Sequence, residues 1–381
     1  MRCERRVAWS ACCILLAVCA CAAPDRVYWG DVHGHTAASD GAGSFEQYFR
    51  WAREEAGLDF AIVSDHDFGN AAPWRMPADV WRAGQDAAEA ANEDGTFVAI
   101  CGYEWTSDQK YWIEPMGGPG GEPLFAGPAR SYGHKNVYFP DLRGRVFAAG
   151  DPLSATPDLL AAAIAPLGGL AHTNHPGSGE ADQWDYDSRW ERVIANVEMG
   201  PDVMLYEGQE HEIGVERSVL AFLGRGGRAG FVGGSDTHEG RPRAHTAVLS
   251  RDLTRAAVFD ALRRRRCYAT TGARIVLDLR VGGAGMGAEA VVRRAPRVEL
   301  AVHGTAPLAE VALLRDGRPI RVEHPAGTDF RLAFTDRDCG PRAWYVLRAV
   351  QTDCDEHGNP QRAWSSPIWV RRAGSDPAAG P

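Results

Sequence analysis

Short, uninterrupted apolar runs alternate with amphipathic ones from about residue 26 to residue 271. Val27–Trp29, Phe60–Ser64, Phe97–Cys101, Asn136–Phe139, Gly169–His172, Val193–Glu198 and Gly230–Gly233 read as strands buried on both faces. The helical stretches between them carry end signals. Ser44 and Gln47 form a capping box ahead of an apolar stripe of Phe45, Tyr48, Phe49 and Ala52, and Gly57 stops that helix. Thr156-Pro157-Asp158 opens a second helix with a cap, a proline in the first turn and an acid at the positive end of the dipole. Thr254 opens a third, with Val258, Phe259 and Leu262 on one face. Such alternation predicts an α/β fold, either a (β/α) barrel or a doubly wound sheet.

After Gly272 the period shortens to two. Arg274–Val281, Arg297–His303, Ala309–Arg315, Arg331–Thr335, Trp344–Gln351 and Ser366–Val370 read as strands, with turn signals at Arg315-Asp316-Gly317 and His357-Gly358-Asn359-Pro360. About a hundred residues of this kind predict a small β-sandwich of immunoglobulin type over 272–371, followed by a disordered tail at 372–381. Trp105–Gly133 fits neither pattern. Its 29 residues hold six glycines and four prolines, the make-up of a functional loop or lid, or of a disordered one.

Residues 1–21 read as an export signal rather than as fold. Arg2, Arg5 and Arg6 precede an apolar run, Val7–Ala20, too short to span a bilayer as a helix. Val18-Cys19-Ala20-Cys21 also resembles a lipobox, so plain cleavage and lipidation of Cys21 both fit. The expectation is an exported protein of the cell envelope or periplasm, membrane-anchored through a lipid on Cys21, or else secreted.

Composition narrows the classes further. Of 381 residues, 45% are hydrophobic and 24% charged, which excludes general disorder. A formal charge of −9, without a clustered basic face, speaks against a nucleic-acid partner. Outside the signal region only Cys101, Cys267, Cys339 and Cys354 remain, in no metal-type spacing. Cys339 and Cys354 flank one strand, and an exported chain permits a bridge between them.

Histidines and acids cluster where the strands end. His33 and His35 follow the first strand in His33-Gly34-His35-Thr36-Ala37-Ala38-Ser39-Asp40-Gly41. On an extended backbone, residues two apart face the same side, so both imidazoles reach one ion, and Asp40 adds an oxygen. Later strands run into Ser64-Asp65-His66-Asp67, Gly102-Tyr103-Glu104, Ala171-His172-Thr173-Asn174-His175-Pro176 and Gly234-Ser235-Asp236-Thr237-His238, while His134 opens one. The carboxyl ends of strands are where α/β folds place their sites. Any one of these residues alone reads as a cap or a surface group. Together they point to a metal site, because burying so many polar groups without an ion is costly. A mixed nitrogen and oxygen donor set suits Zn, Mn or Fe. Asp65 and Asp67 either orient His66 or solvate their loop.

These motifs resemble those of the PHP (polymerase and histidinol phosphatase) metallohydrolase superfamily. More narrowly, residues 26–271 with the following β-domain are similar to the carbaryl-hydrolase-like and uncharacterised secreted PHP proteins, over nearly the whole mature chain. The resemblance implies a distorted (β/α)7 barrel holding up to three divalent cations. His33, His35, Glu104 and Asp236 would hold the first; Glu104 would bridge to a second held by His134 and His175; Asp40, His66 and His238 would hold a third. His172 competes with His175, and the family's His-Pro motif favours His175. Glu104, Asp236 and His238 would serve catalysis around a metal-bridging hydroxide that attacks phosphorus or a carbonyl carbon.

The substrate is less legible. Lys110, Lys135, Arg241 and Arg243 either clamp an anionic group or are loop surface charge. Trp105, Tyr111, Trp112 and Phe125 either meet an organic substrate or pack their loop. A phosphoesterase acting on a small ester is the first expectation, a carbamate or carboxylic ester hydrolase the second. A non-catalytic secreted metal-binding or surface-interaction protein is the third.

Overall fold

A computed structural model describes residues 25–68, 75–107, 131–141, 144–177, 187–206 and 208–374. The expected export signal with Cys21, together with Lys110, Tyr111, Trp112 and Phe125 and the chain beyond residue 374, lies outside the described residues.

The first region is mixed α/β and rich in strands. In chain order it holds β1 (Arg26–Asp31), α1 (Phe45–Arg50), β2 (Phe60–Val63), α2 (Ala78–Ala91), β3 (Val98–Thr106), β4 (His134–Tyr138), α3 (Pro157–Ile164), β5 (Leu170–Thr173) and β6 (Ile194–Glu198). There follow β7 (Val203–Tyr206), β8 (Gln209–Glu212), α4 (Val215–Gly224), β9 (Gly230–Val232), β10 (Thr246–Ser250), α5 (Arg255–Arg263) and β11 (Cys267–Thr270). The capping signals act as their chemistry requires. Ser44 and Gln47 cap α1 reciprocally, and Thr156 and Thr254 accept from Leu159 N–H and Ala257 N–H at the starts of α3 and α5. Past α1 the helix continues as a π-type turn, Trp51–Glu55, and ends at Gly57, whose φ of 58° suits a residue without Cβ.

The alternation predicted a (β/α) barrel or a doubly wound sheet, and the resemblance a distorted (β/α)7 barrel; the strands are instead of mixed direction. They belong to a large mixed sheet in the order β10-β1-β2-β3-β4-β5-β6-β9. β1, β2 and β3 are parallel, as are β5, β6 and β9. β4 is antiparallel to both of its neighbours, and β10 to both of its own. The reversal of β4 has a simple cause. Thr106 at the end of β3 pairs with His134 at the start of β4. β3 therefore ends and β4 begins at one rim, and β4 runs down the sheet. The edges of this array meet: Gly34 and Thr237 form an isolated parallel bridge, His35 N–H donates to Thr237 O at 2.8 Å, and Gly233 N–H, just past β9, donates to Thr246 Oγ1 of β10 at 2.9 Å. All nine residues of β3 and all four of β2 are buried, which explains the apolar runs Phe60–Val63 and Val98–Cys101, and makes Glu104 of β3 a buried acid.

The second region is all strand. β12 (Val276–Val281), β14 (Arg297–His303) and β17 (Asp329–Thr335) form a three-stranded antiparallel sheet. Against it lie β13 (Glu289–Val292), β15 (Leu308–Arg315), β16 (Arg318–Glu323), β18 (Arg342–Cys354), β19 (Pro360–Ser365) and β20 (Ile368–Arg372). The β15–β16 turn has Asp316 and Gly317 at φ of 52° and 77°, the pair of positive values a tight hairpin turn needs. This second sheet does not stop at the region boundary: β19 pairs with β11, so fifteen strands share one ladder system across both regions. One apolar core also crosses it, joining Trp29 and Tyr268 to Ile275, Leu277 and Leu300.

The Cys339–Cys354 bridge does not form; all four cysteines among the described residues are free. The Cys339 thiol meets Tyr345 near the start of β18, which runs on to Cys354 at about 3.3 Å per residue, so the two thiols lie roughly 30 Å apart, far beyond disulfide reach.

Candidate metal centre

The rim where β1, β3, β4, β5, β6 and β9 converge carries the chemistry. Beyond β1 the chain stays extended, and His33 and His35 are both fully buried. Gly34 between them lies against Tyr48, whose hydroxyl would stand 2.6 Å from an added Cβ, so the position accepts no side chain. The two Nε2 atoms are 3.3 Å apart. Glu104 Oε2 lies 3.4 Å from that of His33 and 3.2 Å from that of His35. Asp236 Oδ1 lies 3.2 and 3.1 Å from the same two atoms. Tetrahedral donors about 2.0–2.1 Å from an ion stand about 3.3–3.4 Å from one another. The set has the spacing and the chemistry of a divalent-cation site.

Glu104 divides its carboxylate. Oε1 turns the other way, to 2.9 Å from His134 Nδ1 and 3.6 Å from His175 Nε2, and it accepts from Asn174 Nδ2 at 2.7 Å. Glu104, His134 and His175 make a second group able to hold an ion. A third comprises His35, Asp40, His66 and His238: Asp40 Oδ2 is 3.4 Å from both His66 Nε2 and His238 Nε2. The reversal of β4 explains how His134, at a strand's beginning, joins residues at the ends of other strands. His175 and Asp236 adopt positive φ of 23° and 49°. Such backbone is uncommon outside glycine and is tolerated where surrounding structure holds it, often at functional sites.

The electrostatics of the pocket call for positive charge. Burial would raise the Glu104 carboxyl, but His66, His33 and His134 outweigh it and hold it well below the usual range. Asp40 is likewise lowered against its burial, by His238 and His66. Burial would lower His35, yet hydrogen bonding to Asp236 and Glu104 pushes it up to about 10. His33 is also raised against burial, by Asp236, Glu198 and Glu104. Carboxylates that hold their imidazoles in the charged form are a donor set with negative charge in excess, which suits divalent cations.

All nine residues expected as ligands thus stand on one rim. The expected substrate cations do not turn to it in the same way. Lys135 alternates with His134 on β4 and so faces the opposite side, where it is buried, donates to Tyr132 O at 2.8 Å and lies over the Trp105 ring. Arg241 lies over the Trp51 ring, and Arg243 pairs with Glu356 of the second region. Trp105 is buried and donates to Ser154 O at 2.8 Å, so it packs the fold rather than a lid. His172, inside β5, faces Glu198 and Tyr138 rather than Glu104.

Asp65 and Asp67 do not hold His66. Asp65 accepts from Thr36 N–H and Oγ1 and from Ser39 N–H and Oγ at 2.8–3.1 Å, fixing the loop that carries Asp40. Burial pushes Asp67 up to about 8, and its Oδ2 accepts from Ala149 N–H. His66 Nδ1 lies 2.7 Å from Thr106 Oγ1 and 3.3 Å from Glu104 Oε2. Sequence reasoning also passed over Glu198, the buried last residue of β6, which lies 2.6 Å from His33 Nδ1. Its one signal was an acid closing an apolar strand at the same rim.

Comparison with known proteins gives a match to the family described as "Protein of unknown function (DUF3604)" over residues 233–310. Uncharacterized proteins of Chlamydia trachomatis and Chlamydia muridarum are 26% and 24% identical to this chain, each over 91% of it and 57% of the relative. The chain spans little more than half the length of these curated relatives. Among solved structures, a two-domain protein of Bacteroides vulgatus containing a predicted PHP-like metal-dependent phosphoesterase is similar at a TM-score of 0.44. It is 13% identical, with 91% of this chain and 95% of that one covered.

Proposed function

We propose that this protein is a metal-dependent hydrolase of phosphoesters. The observation that carries the reading is the division of Glu104, whose two oxygens face two different His-containing donor groups. A shared carboxylate of this kind is how a protein holds cations close enough to act on one substrate. When bound, such cations supply an activated water at neutral pH and neutralise charge that develops on the phosphoryl oxygens.

The chain's own residues divide the remaining work. His33, His35 and Glu104 are buried and fix the floor of the pocket. Asp236 and His238 stand on the open side, with side chains 43% and 42% exposed, where a substrate would enter. His238 Nδ1 sits 2.9 Å from Asp236 O, which leaves Nε2 turned toward Asp40. Thr106 orients His66 from behind, and Asn174 donates to Glu104, so the donor atoms are preset by hydrogen bonds.

The test is turnover by purified protein loaded with Mn or Zn, using p-nitrophenyl phosphate, bis-p-nitrophenyl phosphate and a naphthyl carbamate. Phosphoester cleavage that disappears in Glu104→Gln is expected. Carbamate cleavage alone would move the chemistry to the second class. No turnover despite bound cations would leave a binding protein.

A further inference from the structure

We infer that Glu198 is a positioning residue that couples the first and second cation positions, an inference resting on the metal-dependent reading above. Glu198 is buried and closes β6. Its Oε1 lies 2.6 Å from His33 Nδ1, and its Oε2 accepts the His175 backbone N–H, also at 2.6 Å. His33 belongs to the first donor group and His175 to the second. One carboxylate thus holds a member of each, from a strand that supplies no ligand itself.

The two bonds do different work. The first sets a tautomer: with Nδ1–H given to Glu198, the lone pair of His33 sits on Nε2, the atom that faces His35, Glu104 and Asp236. The second holds a backbone. His175 sits at a φ of 23°, and its tethered N–H turns the ring toward Glu104 Oε1. Glu198 is itself locked, because Gly234 presses on it so closely that an added Cβ would stand 2.4 Å from Oε1.

His33 Nδ1 and the His175 N–H both donate to Glu198, and His172 Nε2 faces its Oε1 at 3.4 Å, so a carboxylate is required and an amide does not replace it. In Glu198→Gln the single carbonyl oxygen accepts from one donor, and the NH2 faces the other. Either the His175 N–H loses its acceptor, or His33 takes its other tautomer and carries a proton on the atom that faces the pocket. Each outcome damages one position, and Glu104, shared by both, passes the loss to the other.

The experiment is equilibrium titration of chelator-stripped full chain with Mn²⁺, with elemental analysis and circular dichroism alongside. Wild type is expected to bind up to three equivalents. Glu198→Gln is expected to weaken two of them about 10–100-fold and to affect the remaining one, at His35, Asp40, His66 and His238, least. Glu198→Asp, which keeps two acceptor oxygens, should bind more tightly than the Gln variant. A folded Glu198→Gln with wild-type affinities, or with all positions weakened alike, overturns the inference. Wild type that binds no Mn²⁺ overturns the functional reading instead. Should the Gln variant not fold, ¹⁵N-histidine NMR of Zn-loaded wild type decides. A protonated Nδ1 on His33 supports the assignment, and a protonated Nε2 refutes it.

Discussion

His33 Nε2 and His35 Nε2 stand 3.3 Å apart and share the same two carboxylate oxygens, Glu104 Oε2 and Asp236 Oδ1. Without a cation the carboxylates favour protonated imidazoles here, and a bound cation takes the place of those protons and ties the four groups to one centre. A cation that binds this cluster therefore stabilises the fold, by about 2.7 kcal/mol at a hundred times its dissociation constant. Chelation is expected to lower the thermal midpoint by several degrees, and added Mn²⁺ or Zn²⁺ to restore it. Calorimetry across a cation series checks this, and a midpoint indifferent to cation would contradict it.

Glu104→Gln keeps the size of the side chain and removes its charge from two donor groups at once. Turnover is expected to fall by at least about 10²–10³-fold, in the range of losing a preorganised electrostatic contact. Bound metal should drop with it. Wild-type metal content in this variant, by elemental analysis, would argue against a shared carboxylate.

His172 and His175 separate cleanly. His175 Nε2 faces Glu104, whereas His172 Nε2 lies 3.4 Å from Glu198. His175→Gln is expected to lose a bound cation and most activity; His172→Gln should retain the metal stoichiometry. Reversed outcomes would return His172 to the ligand set.

Acid stability has a source far from the pocket. Asp336 is buried, with both oxygens 2.6 Å from Arg315 Nη1, and it accepts from the Tyr345 hydroxyl at 2.7 Å. Burial would raise its carboxyl, but Tyr345 and Arg315 lower it below the ordinary value. A lowered folded-state value means stability present above the unfolded value and lost as pH falls through the folded one. Asp336→Asn should therefore be less stable at neutral pH and flatter below about pH 4. Urea midpoints at several pH values test it, and parallel curves would exclude Asp336 as the source.

A cut at residue 271 is expected to yield unfolded protein. Tyr268, Ala269 and Thr270 of β11 pair with Ser365, Trp364 and Ala363 of β19. Glu216, between Arg348 Nη1 at 2.7 Å and Trp364 Nε1 at 3.0 Å, would lose both partners. Arg348→Ala alone should cost toward the lower end of about 3–5 kcal/mol by leaving that carboxylate uncompensated. Circular dichroism of residues 25–271 checks the first statement; a cooperative transition there would show an independent first region.

Strand positions and ligand types were legible because both leave strong local marks. Apolar runs such as Phe60–Ser64 announce doubly buried strands, and His33, His66, Glu104 and Asp236 directly follow such runs. Directions were not legible. Whether β4 runs up or down depends on where the chain lies between Thr106 and His134, which no periodicity records. The sequence reading missed β7, β8, β10, β11, β13, β16 and β19: exposed residues mask the pattern in some, as in Arg318–Glu323, while β10 and β11 are short runs beside a helix signal. Glu198 was missed because one acid at a strand end carries no sign of its partner, His33, which lies 165 positions away.

The uninterrupted ladder from β10 through β11 into β19 also bears on how substrate reaches the rim. Hinge closure needs a waist that few bonds cross, and here strand pairing, an apolar core and the Arg243–Glu356 ion pair all cross it. Swivelling one half of the molecule over the pocket would tear that fabric. The pocket's floor and the β-domain's ladder are parts of one continuous fabric.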